Sequence, residues 1–187
     1  MDMKEHILDI AQRLIQLRGV NGFSYADIAK EVGVSKASLH HHFATKTDLV
    51  SRLLDRYSAQ LQEYLDQLLH TEPSAMGRLE GYANLYRKTL DSERVCMGGM
   101  LSAEAMTLDE RVHPQLAHFF DLQVQWLTQV IEAGRAKGEL TQTGTAEQDA
   151  SAIIAALQGG LVVSRSARTN MFFDQCAHGV IDRLRAS

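Results

Sequence analysis

Between Phe23 and Phe43 the sequence FSYADIAKEVGVSKASLHHHF sets two short helical patterns on either side of one glycine, Gly33. That spacing admits few arrangements, chiefly two helices crossing steeply about a short turn. Ser24 stands three residues ahead of Asp27, so a hydroxyl and a carboxylate can satisfy each other's free backbone N–H groups as a capping box. A helix should therefore begin at Tyr25. Ala26, Ile28, Ala29 and Val32 supply its buried edge, Ala29 is small enough for a second helix to cross closely, and Gly33 offers the positive φ that ends it. Ser35 caps a second helix running through Phe43, with Val34, Leu39 and Phe43 pointing inward and Lys36, Ala37, Ser38, His40 and His41 on the outer surface. A short helix with a small, polar and basic outer face suits the major groove of DNA. An ordinary helical hairpin could have a similar loop, whereas an EF-hand is excluded by the lack of an acidic twelve-residue loop.

Ahead of this segment Ile7, Ile10, Ala11, Leu14 and Ile15 repeat at helical spacing up to Gly19. Together with the runs Gly22–Ala29 and Ser35–Leu49, they resemble the amino-terminal domain of the tetracycline-repressor (TetR) family, over roughly the first third of the chain. The resemblance implies a three-helix DNA-binding domain joined by a fourth helix to a larger helical domain that binds a ligand and dimerises. It also implies a repressor rather than an activator. The family usually has tyrosine where His40 stands, and that tyrosine commonly contacts a phosphate.

The net charge of −4 looks wrong for a DNA binder until it is divided along the chain. Residues 1–56 carry eight Lys and Arg against seven Asp and Glu, and the remaining residues carry eleven against sixteen. The first part is thus net positive by one and the rest net negative by five. Between 35 and 46 the only formal charges are Lys36 and Lys46, so the bulk of the protein repels a duplex while the expected reading face attracts it. Low overall basicity argues against a nonspecific nucleic-acid coat protein. No apolar run is long enough to span a membrane and no signal peptide opens the chain, which predicts a cytoplasmic protein without a membrane partner. Cys96 and Cys176 are too few for a disulfide scaffold and lack metal-ligand spacing.

Thr45 and Asp48 form another capping box, opening a long helix to about Leu69 with Lys46 at its start, where free N–H groups and the dipole attract an anion. Lys46 is thus the strongest phosphate-contact candidate. Leu49, Val50, Leu53, Leu54, Tyr57, Leu61, Leu65 and Leu68 keep one face buried, with Arg52 and Arg56 solvated, so the helix should act as a rigid connector. The rest reads as helices throughout, giving an all-α chain of about nine helices. Residues 1–46 form the DNA-binding domain, with the helix-turn-helix at 24–43, and residues 47–187 form a ligand-binding and dimerisation domain whose connector helix is 47–69.

Helices are expected from Ser74, over about Met97 to Leu108, and from Pro114 at a first turn. Tyr82, Tyr86, Met97, Met100, Phe119 and Trp126 on them could give a pocket aromatic and thioether walls, although for any single one of them core packing is the readier role. The last two helices span approximately Thr145 to Asn170 and Phe172 to Arg185. Ile153, Ile154, Leu157, Gly160, Leu161 and Ser164 share a face of the first. Gly159-Gly160 mid-helix costs about 1 kcal/mol per glycine relative to alanine, and close approach of a twofold-related partner would offset that. Packing against a helix of the same chain is the alternative.

Other constellations lead nowhere chemical. His40, His41 and His42 fan about 100° apart and cannot converge on one metal ion. Cys176 and His178 face different sides of a helix, and no Gly-rich phosphate loop, paired-carboxylate motif or Ser/His/Asp signature supports an enzyme. No cofactor is expected. The expectation is a homodimeric regulator that releases palindromic operator DNA when a small-molecule effector binds. Lys36, Ala37, Ser38 and His41 would read bases while Ser24, Tyr25, His40 and Lys46 hold phosphates. Ile153, Leu157, Gly160, Leu161 and Ser164 would form the dimer contact. One alternative makes Cys96, with Arg94 nearby in sequence, a redox or electrophile sensor. Another is a helical ligand-binding or adaptor protein without operator binding.

Overall fold

The computed structural model describes residues 2–186. Among these, nine α-helices follow one another: α1 (Met3–Arg18), α2 (Tyr25–Val32), α3 (Lys36–His42), α4 (Lys46–Thr71), α5 (Ala75–Asp91), α6 (Met97–Ala103), α7 (His113–Ala136), α8 (Ala146–Ala167) and α9 (Met171–Asp182). Two 3₁₀ turns, Ala105–Thr107 and Glu110–Val112, lie between α6 and α7. The helices start where side chains satisfy free amides. Ser24 with Asp27, Thr45 with Asp48 and Thr145 with Gln148 form capping boxes, and Ser35 and Ser74 accept from Ser38 N–H and Gly77 N–H. Gly33, in the left-handed region at φ 80°, ends α2 and sends its N–H to Ala29 O.

The chain forms two compact units. The first comprises Met1–Ala59 and Cys96–Phe119. Here α1 packs against α2 and α6, and Ile7, Leu8, Ile15, Ile28, Leu39, Leu49, Leu53, Leu54 and Leu101 are fully buried. Each such side chain stabilises the fold by about 1.5–3 kcal/mol relative to exposure. The inner stripe of α2 is Tyr25, Ile28 and Ala29, and Ala26, about 100° from Tyr25 on the helical wheel, faces solvent rather than the expected core. Arg56 also departs from expectation. Its guanidinium binds Glu5, Asp9 and Gln12 of α1 at 2.8–3.0 Å, with its side chain only 14% exposed, so it ties α4 to α1. Arg52 stays exposed. The helix expected to reach Leu108 stops at Ala103 and continues as a 3₁₀ turn.

The second unit comprises Gln60–Val95 and Phe120–Ser187. Here α8 and α9 form an extensive antiparallel pair that packs on α5, enclosing Leu79, Tyr82, Leu127, Ile131, Ile153, Leu157, Leu161 and Phe173. Among the described helices α8 is the one long and apolar enough, by length and composition alone, to cross a membrane. The reason lies in its two faces. One is buried in the subunit, and the other carries exposed Val162 and Val163.

Candidate nucleic-acid interface

Helix α3 is held from beneath by Leu39, which is fully buried, and by Phe43 at its end. Lys36, Ala37, His40 and His41 are exposed, and Ser38 is half-buried. The turn before α3 is closed by two amides, Gly33 and Val34, which both donate to Ala29 O at 3.0 Å. Apart from its histidines, α3 has Lys36 as its one ionisable side chain. The exposed face therefore offers an ammonium, a methyl group and an imidazole on a short rigid rod, a combination that can meet base edges and thymine methyls in a major groove.

The flanking candidates divide. Ser24 is exposed, with its hydroxyl and its backbone N–H donating to Asp27 Oδ2 at 2.7 Å, and those bonds hold the Asp27 carboxyl below its ordinary range. His40 is exposed, its ring 4.6 Å from that of Tyr25 and its Nδ1 3.1 Å from Ala44 O. Tyr25 and Lys46 turn inward instead. Tyr25 is buried, and its hydroxyl donates to Phe43 O at 3.0 Å and Thr45 O at 2.6 Å. Burial and then the nearby Asp48 charge push its phenol up to about 12. The Lys46 ammonium donates to Val20 O and Phe23 O and sits 4.2 Å from the centre of the Phe23 ring. Burial lowers its pKa, against the opposing pull of Glu104 and Asp27. Both were expected at phosphates, but their polar atoms are engaged by backbone carbonyls, which hold the α1–α2 and α3–α4 loops in place.

Of the expected pocket residues, Tyr82, Tyr86 and Trp126 come together in the second unit. The two tyrosine hydroxyls both donate to Gln123 Oε1 at 2.8 Å, and the Tyr82 and Trp126 rings stack at 5.9 Å. Gln123 is 1% exposed and escaped sequence reasoning; its one signal was an amide on the apolar stripe of α7 between Phe119 and Trp126. The Trp126 Nε1–H is buried without an acceptor among the described residues. Met97, Met100 and Phe119 belong to the first unit, where Phe119 stacks on Tyr57 at 5.5 Å and packs against Gly98. Cys96 is buried, 4.0 Å from the Tyr57 hydroxyl. On the outside of the second unit a groove of about 190 Å³ between α5 and α9 has Phe173, Ala177 and Ile181 among its walls and Glu80, Arg87 and Asp182 at its rim.

The residues expected to join two subunits lie inside one. Ile153, Leu157 and Leu161 are fully buried, Ser164 Oγ accepts from Phe173 N–H at 2.8 Å, and Gly160 is roofed by Phe173 and Cys176 of the same chain. Of the two readings of the glycine pair, packing within the chain accounts for Gly160. The opposite face of α8, carrying Ser151, Ala155, Gly159, Val162 and Ser166, is exposed, as are Phe172, Gln175 and Gly179 of α9.

Residues 7–53 match the model of bacterial regulatory proteins of the tetR family. The chain is similar throughout to the crystal structure of a TetR-family transcriptional regulator from Agrobacterium tumefaciens. Identity is 31%, coverage is 98% of each chain and the TM-score is 0.95. It is 27% identical to the transcriptional repressor NemR of Escherichia coli strain K12, over 90% of this chain and 86% of that protein. The crystal structure of the reduced form of E. coli NemR superposes at a TM-score of 0.85 with 25% identity, covering 99% of this chain and 98% of that one. The transcriptional repressor DhaR of Mycobacterium sp. strain GP1 is 24% identical over 99% of this chain and 93% of its own length.

Proposed function

Because this chain belongs to the TetR family of transcriptional regulators, we propose that it is a homodimeric repressor which leaves a palindromic operator when a small molecule occupies its carboxyl-terminal domain. The observation that carries the reading is the outward face of α3. Lys36, Ala37 and His41 stand exposed on a helix whose other side is locked by Leu39, with Ser38 beside them. These four read base edges, and Ser24 and His40 hold phosphates. Residues 1–46 do the reading and residues 47–187 the sensing and pairing. The work of the protein is binding rather than catalysis, and its DNA partner places it in the cytoplasm.

Dimerisation uses the exposed face of α8 and α9, where Gly159 and the small residues around it let a twofold-related copy approach closely. Two faces to bury, one within the subunit and one between subunits, also account for the apolar composition of α8. In the second unit Tyr82, Tyr86, Gln123 and Trp126 form the polar and aromatic part of the effector site. Selection of duplexes from a randomised library, followed by footprinting, tests the reading. It expects an inverted repeat with half-site centres about one helical turn apart, roughly 34–36 Å, or a multiple of it. Enrichment of no duplex would instead support a helical adaptor without operator binding.

A second reading, regulation through oxidation or alkylation of Cys96, draws support from the similarity to NemR and its reduced-form structure. Titration of operator binding with an oxidant, beside Cys96→Ser, separates the two. Loss of binding in the parent alone would favour the thiol.

A further inference from the structure

The loop joining α1 to α2 is gripped by two charged groups that are distant in sequence. Glu104, at the end of α6, accepts from Val20 N–H and, at 3.1 Å, from Asn21 N–H through its two carboxylate oxygens. Lys46, the first residue of α4, donates to the carbonyls of Val20 and Phe23. Val20 thus has its N–H on the carboxylate and its C=O on the ammonium. Asn21 adds a side-chain bond to Thr107 Oγ1 at 2.8 Å, and Thr107 is tied back to Glu104 O by its own N–H and hydroxyl at 2.9 Å. Gly19 makes the approach possible. It has φ 77°, and a Cβ there would lie 2.6–2.8 Å from the Glu104 carboxylate.

We propose that Glu104 is a positioning residue for operator recognition: its carboxylate, gripping the Val20 and Asn21 amides of a loop whose Val20 and Phe23 carbonyls Lys46 holds, sets the angle at which α2 and α3 are presented. The loop it grips ends at Ser24, the cap of α2, so the carboxylate acts one turn from the start of the helix-turn-helix. Its own position is set by α6, whose Met100 and Leu101 carbonyls accept the Glu104 N–H and whose Gly98 lies against the Phe119 ring. A displacement of α6 therefore displaces the loop. Two charge-assisted bonds to consecutive amides form a stiff link, since moving the carboxylate away leaves both donors unpaired.

The role rests on the DNA-binding reading, and its test has one arm that needs no DNA. In the full-length protein, Glu104→Ala should speed hydrogen exchange over residues 20–24 by about tenfold while α1 stays protected, because two charge-assisted bonds are lost. Against the duplex that the parent protein enriches from a randomised library, the same variant should bind about tenfold more weakly with an unaltered salt slope. Simple electrostatics predicts the reverse sign, because removing a negative charge strengthens DNA binding. Glu104→Gln loses the same charge but keeps one acceptor oxygen, so the order parent, Gln, Ala in falling affinity belongs to the grip. Equal or tighter binding by both variants, or unchanged exchange over residues 20–24, overturns the proposal. Faster exchange with unchanged affinity overturns the positioning role. A parent protein that enriched no duplex would sink the DNA-binding reading instead, with the exchange result standing apart from it.

Discussion

Gly159 and Gly160 are neighbours in α8 that face different surroundings, and replacing each with leucine should produce different defects. A Cβ on Gly160 would lie 3.2 Å from Phe173 Cδ2, 3.4 Å from Phe173 Cα and 3.6 Å from Cys176 Cβ. Phe173 has little room to yield, being 1% exposed and held through its N–H by Ser164 Oγ. Leucine adds three carbons beyond that Cβ. Gly160→Leu should thus cost the subunit about 1–3 kcal/mol or more through overpacking, offset by less than about 1 kcal/mol from removing a mid-helix glycine. At Gly159 a Cβ meets nothing within 4 Å among the described residues. Gly159→Leu should gain the isolated subunit about 0.5–1 kcal/mol in helix propensity while wedging the proposed dimer face apart. Thermal unfolding over about a hundredfold range of protein concentration distinguishes the two, because an interface defect fades at high concentration and a subunit defect does not. Sedimentation should find Gly159→Leu monomeric where the parent is dimeric. A Gly159→Leu protein as tightly dimeric as the parent would refute the outer face as the interface. Undiminished stability in Gly160→Leu would refute the packing argument.

Three further outcomes follow from the reading head. Lys46→Ala should leave the salt slope of operator binding unchanged, because its ammonium is engaged by two carbonyls; a fall of about one unit per subunit would restore it as a phosphate contact. Tyr25→Phe should cost about 1–3 kcal/mol in urea denaturation by removing the hydroxyl donor from the Phe43 carbonyl and leaving the Thr45 carbonyl with only the Leu49 N–H. The folded phenol titrates near 12 against an ordinary 10.0, so the stability Tyr25 confers is complete below pH 10 and is lost as pH rises from 10 to 12. The Phe variant should show a flatter decline over that window, and an identical one would place the titration elsewhere. Ser38→Ala should alter base preference at particular positions of each half-site in a library selection; an unaltered preference removes Ser38 from the base contacts.

What could be read from the sequence was chemistry that closes within about four residues. Ser24 with Asp27, Thr45 with Asp48, and Gly33 as a left-handed helix end are local bargains between side chain and backbone, and all three stand in the structure as their spacing requires. The starts of α2 and α4 and the end of α2 follow from them, as the start of α3 follows from Ser35. Partnerships across 18 to 84 residues were decided only by the tertiary structure. Tyr25 and Lys46 have the right chemistry for a phosphate, yet the fold brings carbonyls of the α3–α4 and α1–α2 loops within their reach first. Arg56 finds three acceptors on α1 instead of solvent, and Glu104 finds two amides 83 and 84 residues away. Helix α8 marks the boundary most sharply. Helical periodicity shows that Gly159 and Gly160 point about 100° apart, but with apolar residues on both sides of the helix it cannot say which side the subunit buries. That choice was made by Phe173 of α9, which closes over Gly160 and leaves Gly159 on the face still open to a partner.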